Sequence, residues 1–232
     1  MIESLSNERI KEYTKLNQKK YRDDTNMFII EGTHLVEEAI KNNIVVEAFS
    51  LDDKYTKVSE EVMKKLSNLD TPPKYLAVCN KIEEKDINGN VLILDGVQDP
   101  GNLGTIIRSS IAFNIDTVIL SNDSVDLYNT KVLRATEGMI FNINIIRRDL
   151  EEVLPTLKDK YTIYTTNVVN GTELDSIKVN KPFALIMGSE GNGVKDNIAS
   201  YANESVYINM NDKCESLNVG VATSIILYKF SK

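Results

Sequence analysis

The stretch YINMNDKCESLNVGVATSIILYK (residues 207–229) indicates how the C-terminal half of the chain is built. It predicts a short strand, a polar loop and then a helix that is apolar on nearly every side. Helices of that kind are normally buried inside a domain or against a partner. Ser216 and Asn218 stand at the start of the helix, where side-chain oxygens meet free backbone N–H groups. We therefore predict a core helix whose N-terminal end faces a functional site.

Upstream of this helix, strands alternate with helices from residue 91 onward, which is typical of an α/β domain with a mostly parallel sheet. The run VLILD (91–95) is continuously apolar, as expected of a parallel strand covered on both faces. The first 80 residues predict a smaller αβαβαβ unit that opens with a helix over residues 6–19. We predict two domains, residues 1–80 and 91–232, joined by a charged linker at 81–90.

Composition narrows the class of protein. The chain is 42% hydrophobic and 26% charged, which is ordinary for a globular protein. Its first residues lack the apolar core of a secretory signal, and no run is long enough to cross a membrane, so we expect a cytoplasmic protein. Two distant cysteines and a single histidine lack metal-ligand spacing, so we expect no metal site.

The net charge of −7 and the pI near 5.0 argue against a protein that coats nucleic acid non-specifically. Residues 1–22 nevertheless carry three more basic than acidic side chains. That excess fits either a local basic face or an ordinary solvated helix, and charge alone leaves both open. The basic residues are Arg9, Lys11, Lys15, Lys19, Lys20 and Arg22.

Three polar loops follow predicted strands, where parallel sheets bind their ligands. The first, DGVQDPGNLGTIIR (95–108), places Gly104 one helical turn before Arg108, which leaves room for a ligand beside the guanidinium. The second, GSEGNG (188–193), permits close backbone approach but lacks the Gly-Lys-Ser/Thr of a P-loop. The third is ESLNV (215–219). Each alone also fits an ordinary turn or helix cap.

In combination, N-x-G-x-x-x-R at 102–108, G-S-E-G-x-G at 188–193 and E-S-L-N-V at 215–219 closely resemble the SpoU family. This family is a branch of the SPOUT RNA methyltransferases and methylates the ribose 2′-hydroxyl. The N-terminal unit resembles the small substrate-binding domain that precedes many members. Two positions depart from the common pattern, with Asn209 in place of Pro and Gly220 in place of Ser.

The resemblance implies a deep trefoil knot, a homodimer formed through the C-terminal domain, and S-adenosylmethionine as cofactor without a metal. Arg108 matches the proposed general base. Because arginine stays protonated, a role in gripping a phosphate and stabilising the oxygen is at least as consistent. The implied catalytic residues are Asn102, Arg108, Glu190, Ser216 and Asn218. The implied cofactor-binding residues are Gly188, Gly193, Ile208, Met210 and Leu217.

The leading hypothesis is a methyltransferase that acts on the ribose 2′-hydroxyl of ribosomal RNA, with transfer RNA as the alternative substrate. A second hypothesis is an RNA-binding dimer without catalysis, and the intact motif residues speak against it. A third is a nucleotide-binding α/β enzyme of another chemistry. The missing P-loop and dinucleotide fingerprints count against that reading.

Overall fold

The structure is a computed structural model that describes residues 1–168 and 170–232. Over these residues the chain divides into two compact units. The first unit comprises residues 1–83 and 126–141, and the second comprises residues 84–125 and 142–232. The segment 126–141 therefore belongs to the first unit. The domain limits of 1–80, 81–90 and 91–232 stay a prediction.

The helices of the described residues are α1 (Glu8–Lys15), α2 (Lys19–Thr25), α3 (Thr33–Lys41), α4 (Glu60–Leu66), α5 (Pro100–Ala112), α6 (Thr130–Ala135), α7 (Leu150–Leu157), α8 (Asp196–Ala199) and α9 (Val219–Phe230), with a 3₁₀ turn at Met139–Asn142. The strands are β1 (Met27–Glu31), β2 (Val45–Ser50), β3 (Thr56–Lys57), β4 (Tyr75–Asn80), β5 (Val91–Leu94), β6 (Thr117–Leu120), β7 (Asn144–Arg147), β8 (Thr162–Thr166), β9 (Thr172–Glu173), β10 (Phe183–Met187) and β11 (Glu204–Tyr207).

The first unit is built on a four-stranded sheet in the order β1-β4-β2-β3. β4 pairs antiparallel with β1 and β2, and β3 runs parallel to β2. Helices α1 and α4 pack on one face through a cluster that includes Ile10, Phe49 and Leu66, all fully buried. Burying these side chains supplies the main stabilising term for a unit of this size.

The predicted helix over residues 6–19 is present but shorter, because α1 ends at Lys15 and a separate helix, α2, begins at Lys19. Between them, the Asn17 side chain donates to the carbonyl of Leu66 at 3.3 Å and accepts a bond from Asn68 at 2.6 Å. These tertiary hydrogen bonds hold the chain in a turn. Helical periodicity could not reveal them, since both partners lie about fifty residues away.

Arg22 on α2 is buried, so it does not belong to an exposed basic face. Its guanidinium donates to the carbonyl of Leu16 at 2.8 Å and pairs with the carboxylate of Asp126. The count of basic residues in the first 22 positions therefore overstates the exposed positive charge.

The segment 126–141 completes the first unit. The ring of Phe28 on β1 packs against Tyr128, with ring centroids 4.6 Å apart. The Glu31 side chain, which is almost wholly buried, pairs with Arg134 of α6 at 3.2 Å. These contacts cover strand β1 with residues that follow it by about a hundred positions.

The second unit has a seven-stranded sheet in its described part, in the order β7-β6-β5-β10-β8-β11-β9. Every pairing within it is parallel, which confirms the predicted α/β class with a mostly parallel sheet. Strand β5 is fully buried along its length, as its continuous apolar run predicted. Leu94 at its end is level with Leu120 on β6 and Met187 on β10, so three loops start at one edge.

Helix α9 has one buried face and one exposed apolar stripe. Thr223, Leu227 and Phe230 are buried, and the Phe230 ring contacts Tyr164 and Phe183 edge-on at 5.1 Å. A second set, Val221, Ile225 and Tyr228, is exposed on the opposite side. Along the described residues, no helix combines the length and hydropathy that a bilayer crossing needs.

Replacing Asp126 with Asn should destabilise the protein by about 3 kcal/mol, because one charge of a largely buried ion pair would lose its partner. The Arg22 side chain is only 8% exposed in that pair. Urea unfolding measures the loss. Asp53→Asn is the matched control, since Asp53 is 86% exposed and pairs with Lys57 at the surface, where such pairs contribute less than about 1 kcal/mol. Equal losses in the two variants would contradict the prediction.

Candidate active site

The second and third motif loops border one cavity of about 490 Å³ in the second unit, and hydrogen bonds join the first motif loop to both of them. The Gly-rich loop 188–193, the segment from Ile208 to Leu217 and the first turns of α9 contribute to its walls. Seven of the predicted site residues line it. They are the five expected to bind cofactor, Gly188, Gly193, Ile208, Met210 and Leu217, together with Glu190 and Ser216.

Glu190 connects the Gly-rich loop to the first loop. Its Oε1 accepts hydrogen bonds from Asn102 Nδ2 at 2.9 Å and from the Asp99 backbone N–H at 3.1 Å. Its Oε2 accepts one from the Gln98 N–H at 3.3 Å. Partial desolvation would raise the pKa of Glu190, but these hydrogen bonds outweigh it and lower the pKa below its ordinary value. The carboxylate is therefore ionised at neutral pH.

Asn218 connects the third loop to the first. Its Nδ2 donates to Asn102 Oδ1 at 2.8 Å, while its Oδ1 caps helix α9 by accepting from the N–H groups of Gly220 and Val221. Both amide orientations follow from these partners, since each oxygen faces a donor and each nitrogen an acceptor. Glu190, Asn102 and Asn218 thus form one chain of hydrogen bonds across the three motifs.

The backbone at Gly188 leaves no room for a side chain. A Cβ there would lie 1.9 Å from the carbonyl carbon of Gly193. Ser189 and Gly193 exchange two backbone hydrogen bonds, of 3.0 and 3.1 Å, and Gly193 has a φ of +66°. Gly188 is required because the loop closes tightly on itself, and glycine is favoured at position 193 because other residues rarely adopt a positive φ.

Helices α5 and α9 pack closely, which brings Asn102 and Asn218 together. A Cβ on Gly220 would lie 3.3 Å from Thr105 Cγ2, closer than is comfortable for a larger residue. Further along, the hydroxyls of Ser109 and Ser224 are 2.7 Å apart. Gly220, one of the two departures from the common family pattern, therefore stands at the point of close helix contact.

Arg108 is the one predicted catalytic residue that the structure does not join to the others. It is exposed on α5, six residues after Asn102, and is not among the residues that line the cavity. Six residues of helix span about 9 Å. Across residues 1–168 and 170–232, no hydrogen bond or ion pair to its guanidinium is found.

Sequence reasoning missed several residues that shape the site. Asp99 caps α5 by accepting the Asn102 N–H at 2.8 Å, a role that an Asp before Pro100 signals. Thr166, Asn167 and Val168 border the cavity after strand β8, and their sequence carried no comparable signal. Within the described residues, no group of three or more His, Cys, Asp or Glu side chains is placed to hold a metal.

Two family models match the chain. The SpoU rRNA Methylase family matches residues 89–228, and the MRM3-like substrate binding domain matches residues 7–77. The two matches cover the segments in which the motifs and the N-terminal resemblance were found.

A curated relative is the 23S rRNA (guanosine(2553)-2′-O)-methyltransferase RlmP of Bacillus subtilis strain 168. It is 38% identical, over 98% of this chain and 97% of the relative. Among solved structures, the AdoMet-bound rRNA methyltransferase from Sinorhizobium meliloti has a TM-score of 0.88 at 27% identity, covering 99% of this chain and 96% of that one.

A crystal structure of an RNA 2′-O ribose methyltransferase has a TM-score of 0.83 at 29% identity, covering 99% of this chain and 97% of that one. Family match and full-length similarity agree with the three motifs and with the hydrogen bonds that connect them. The chain belongs to the SpoU rRNA methylase family, as its motifs predicted.

Proposed function

We propose that this protein transfers the methyl group of S-adenosylmethionine to a ribose 2′-hydroxyl of ribosomal RNA. The observation that carries the proposal is the hydrogen-bonded chain from Glu190 through Asn102 to Asn218, which joins the three motifs beside a cavity of about 490 Å³. The Bacillus relative suggests the first target to examine, the guanosine equivalent to position 2553 of its 23S rRNA. Transfer RNA is the alternative substrate.

The cavity suits S-adenosylmethionine in size and charge. Its volume is within the usual range for small-molecule sites. The charged side chains along its described walls are those of Glu190 and Asp196, both acidic, which suits a cofactor that carries a sulfonium. Gly188, Ile208 and Leu217 offer backbone groups and apolar surface to a flat base. When bound, the cofactor supplies an electrophilic methyl group.

We extend the proposal to a trefoil knot formed by the C-terminal segment. Two features support it. The same cavity is bordered by residues 188–194, which follow β10, and by the segment between β11 and α9. Strands β10 and β11 are nevertheless not neighbours in the sheet, because they pair with opposite edges of β8. The motif order is also that of a family in which this segment is knotted.

The site residues divide into holding and charge-stabilising roles. Ionised Glu190 holds Asn102, and Asn102 holds Asn218, so the amides are oriented before substrate binds. Arg108 is free to grip a phosphate of the substrate and to stabilise negative charge on the attacking oxygen. A guanidinium stays protonated near neutrality, which favours this role over that of a general base. Ser216, on the cavity wall, would contact the substrate.

We also propose a homodimer formed through α5 and α9. Val221, Ile225 and Tyr228 are 47%, 38% and 52% exposed and follow each other at helical spacing. Beside them, Thr105 and Arg108 are exposed on the neighbouring helix α5. An apolar stripe of this kind is typical of a surface that a partner covers. A dimer formed there would place Arg108 at the interface.

The purified protein should transfer labelled methyl from S-adenosylmethionine to 23S rRNA and make one internucleotide linkage resistant to alkali. A methylated 2′-oxygen cannot attack the adjacent phosphate, so the resistant position identifies the product. Unmodified rRNA transcript and total tRNA are tested side by side. A base-methylated product, or no transfer to either RNA, would refute the proposal, and transfer to tRNA alone would favour the alternative substrate.

Arg108→Ala should lower kcat by about 10²- to 10³-fold, the usual effect of removing a group that stabilises developing charge. Binding of S-adenosylmethionine, measured by calorimetry, should stay unchanged, because Arg108 does not line the cavity. Arg148→Ala is the control, since Arg148 is also partly exposed but pairs with Glu84. Turnover near that of the wild type would remove Arg108 from the mechanism.

Ile225→Glu should convert the dimer into a monomer at micromolar concentration, because it places a charge in the centre of the exposed stripe on α9. Light scattering after gel filtration measures the mass. Val46→Glu, at another exposed apolar position in the first unit, should leave the mass unchanged. A wild-type monomer would refute the proposed homodimer, and an unchanged dimer in Ile225→Glu would place its interface elsewhere.

A further inference from the structure

Lys195 lies two residues after the Gly-rich loop and binds to two other loops. Its backbone N–H donates to Asp95 Oδ2 at 2.8 Å, and its ammonium lies 3.0 Å from Asp95 Oδ1 and 2.7 Å from Asp123 Oδ2. Asp95 follows β5, and Asp123 lies in the loop after β6. One residue thus joins loops from three adjacent strands, and it does so without lining the cavity.

The Asp95 carboxylate depends on Lys195. Its side chain is 1% exposed, and among the described residues Oδ1 has no hydrogen-bond partner beyond the ion pair with Lys195. A buried carboxylate is unfavourable unless it is paired. Asp123 and Asp95 raise the pKa of Lys195, so the ammonium stays charged. The pair therefore holds the end of the Gly-rich loop at a fixed point beside the first loop.

The loop that carries Asp123 is itself firmly held. The Arg147 guanidinium donates to the carbonyls of Ser121, Ser124 and Val125 at 2.6, 2.9 and 2.7 Å. The side chain of Ser121 donates to Asp123 Oδ1 at 2.6 Å. The Asp123 carboxylate that binds Lys195 therefore lies on a loop that hydrogen bonds hold in place.

Glu190 and Lys195 join the same two loops at two points. Glu190 accepts from the N–H groups of Gln98 and Asp99, and Lys195 binds Asp95 four residues before Asp99. The paired backbone bonds between Ser189 and Gly193 make the intervening loop compact, so a shift at one end is transmitted to the other. Among the described residues, loss of the Lys195 ion pairs would leave Glu190 as the side chain that connects the Gly-rich loop to the first loop.

We propose that Lys195 is a positioning residue for methyl transfer, which acts by holding Glu190 where it can orient Asn102. The inference rests on the proposed function and adds a residue outside the three motifs. It predicts that the effects of Lys195 and Glu190 on the reaction are not independent, since both act through one loop position.

The test is a double-mutant cycle with Lys195→Met and Glu190→Gln, read out as kcat/KM for RNA and as the dissociation constant of S-adenosylmethionine. Lys195→Met alone should lower kcat/KM about 10-fold, within the range that small misplacements produce. The double variant should be no worse than Glu190→Gln alone. Lys195→Arg should restore most of the loss, and Lys160→Met, at an exposed lysine before β8, should match the wild type.

Asp123→Asn is a second variant for the case that Lys195→Met does not fold. It removes the more exposed of the two ion pairs of Lys195 and leaves the buried Asp95 carboxylate paired. It should give a smaller loss with the same non-additivity toward Glu190→Gln. Independent, additive losses, or wild-type activity in Lys195→Met, would overturn the proposal. If the wild type transfers no methyl group, the proposed function fails. The coupling of Lys195 and Glu190 can then be tested by the same double-mutant cycle with the midpoint of urea unfolding as the readout, which needs neither RNA nor S-adenosylmethionine.

Discussion

The arrangement of the site depends on one carboxylate, that of Glu190. It receives a side-chain amide and two backbone N–H groups from the first loop, and its own loop forms a wall of the cavity. Hydrogen bonds to an ionised acceptor are about twice as strong as those between neutral groups. Because this acceptor stays charged, Asn102 is fixed, and through Asn102 the cap of helix α9 is fixed as well.

Close backbone approach makes that arrangement possible. Gly188 leaves space for the Gly-rich loop to fold back on itself, and Gly220 leaves space for α9 to lie against Thr105 of α5. A Cβ at position 188 would collide with the backbone of Gly193, and a Cβ at position 220 would make a tight contact with Thr105. The two glycines therefore allow the backbones to approach closely, while hydrogen bonds among Glu190, Asn102 and Asn218 orient the side chains of the site. The exposed apolar stripe of α9 lies beside these contacts, so that stripe and the site share a helix.

The sequence predicted most of what depends on local pattern. The continuous apolar run of β5 predicted a doubly covered parallel strand, and the polar motifs predicted which loops would meet. It could not predict the break between α1 and α2, because Asn17 is held by residues some fifty positions away. The sequence could not indicate the role of Lys195 for the same reason, because its carboxylate partners lie 100 and 72 residues earlier and no sequence pattern connects them. The motif singled out Arg108 as a candidate, but the described residues supply no hydrogen-bond or ion-pair partner for its guanidinium.

The segment 126–141 has a consequence for how the chain acquires its structure during translation. Arg22 and Glu31 are buried early in the sequence, but their charged partners Asp126 and Arg134 follow 104 and 103 residues later. At about 5–20 residues per second, a ribosome needs roughly 5–20 s to supply them. Until then Arg22 and Glu31 lack their ionic partners, and strand β1 lacks the later residues that pack against it. Completion of the first unit must wait until about a third of the region that matches the SpoU family, residues 89–228, has been synthesised.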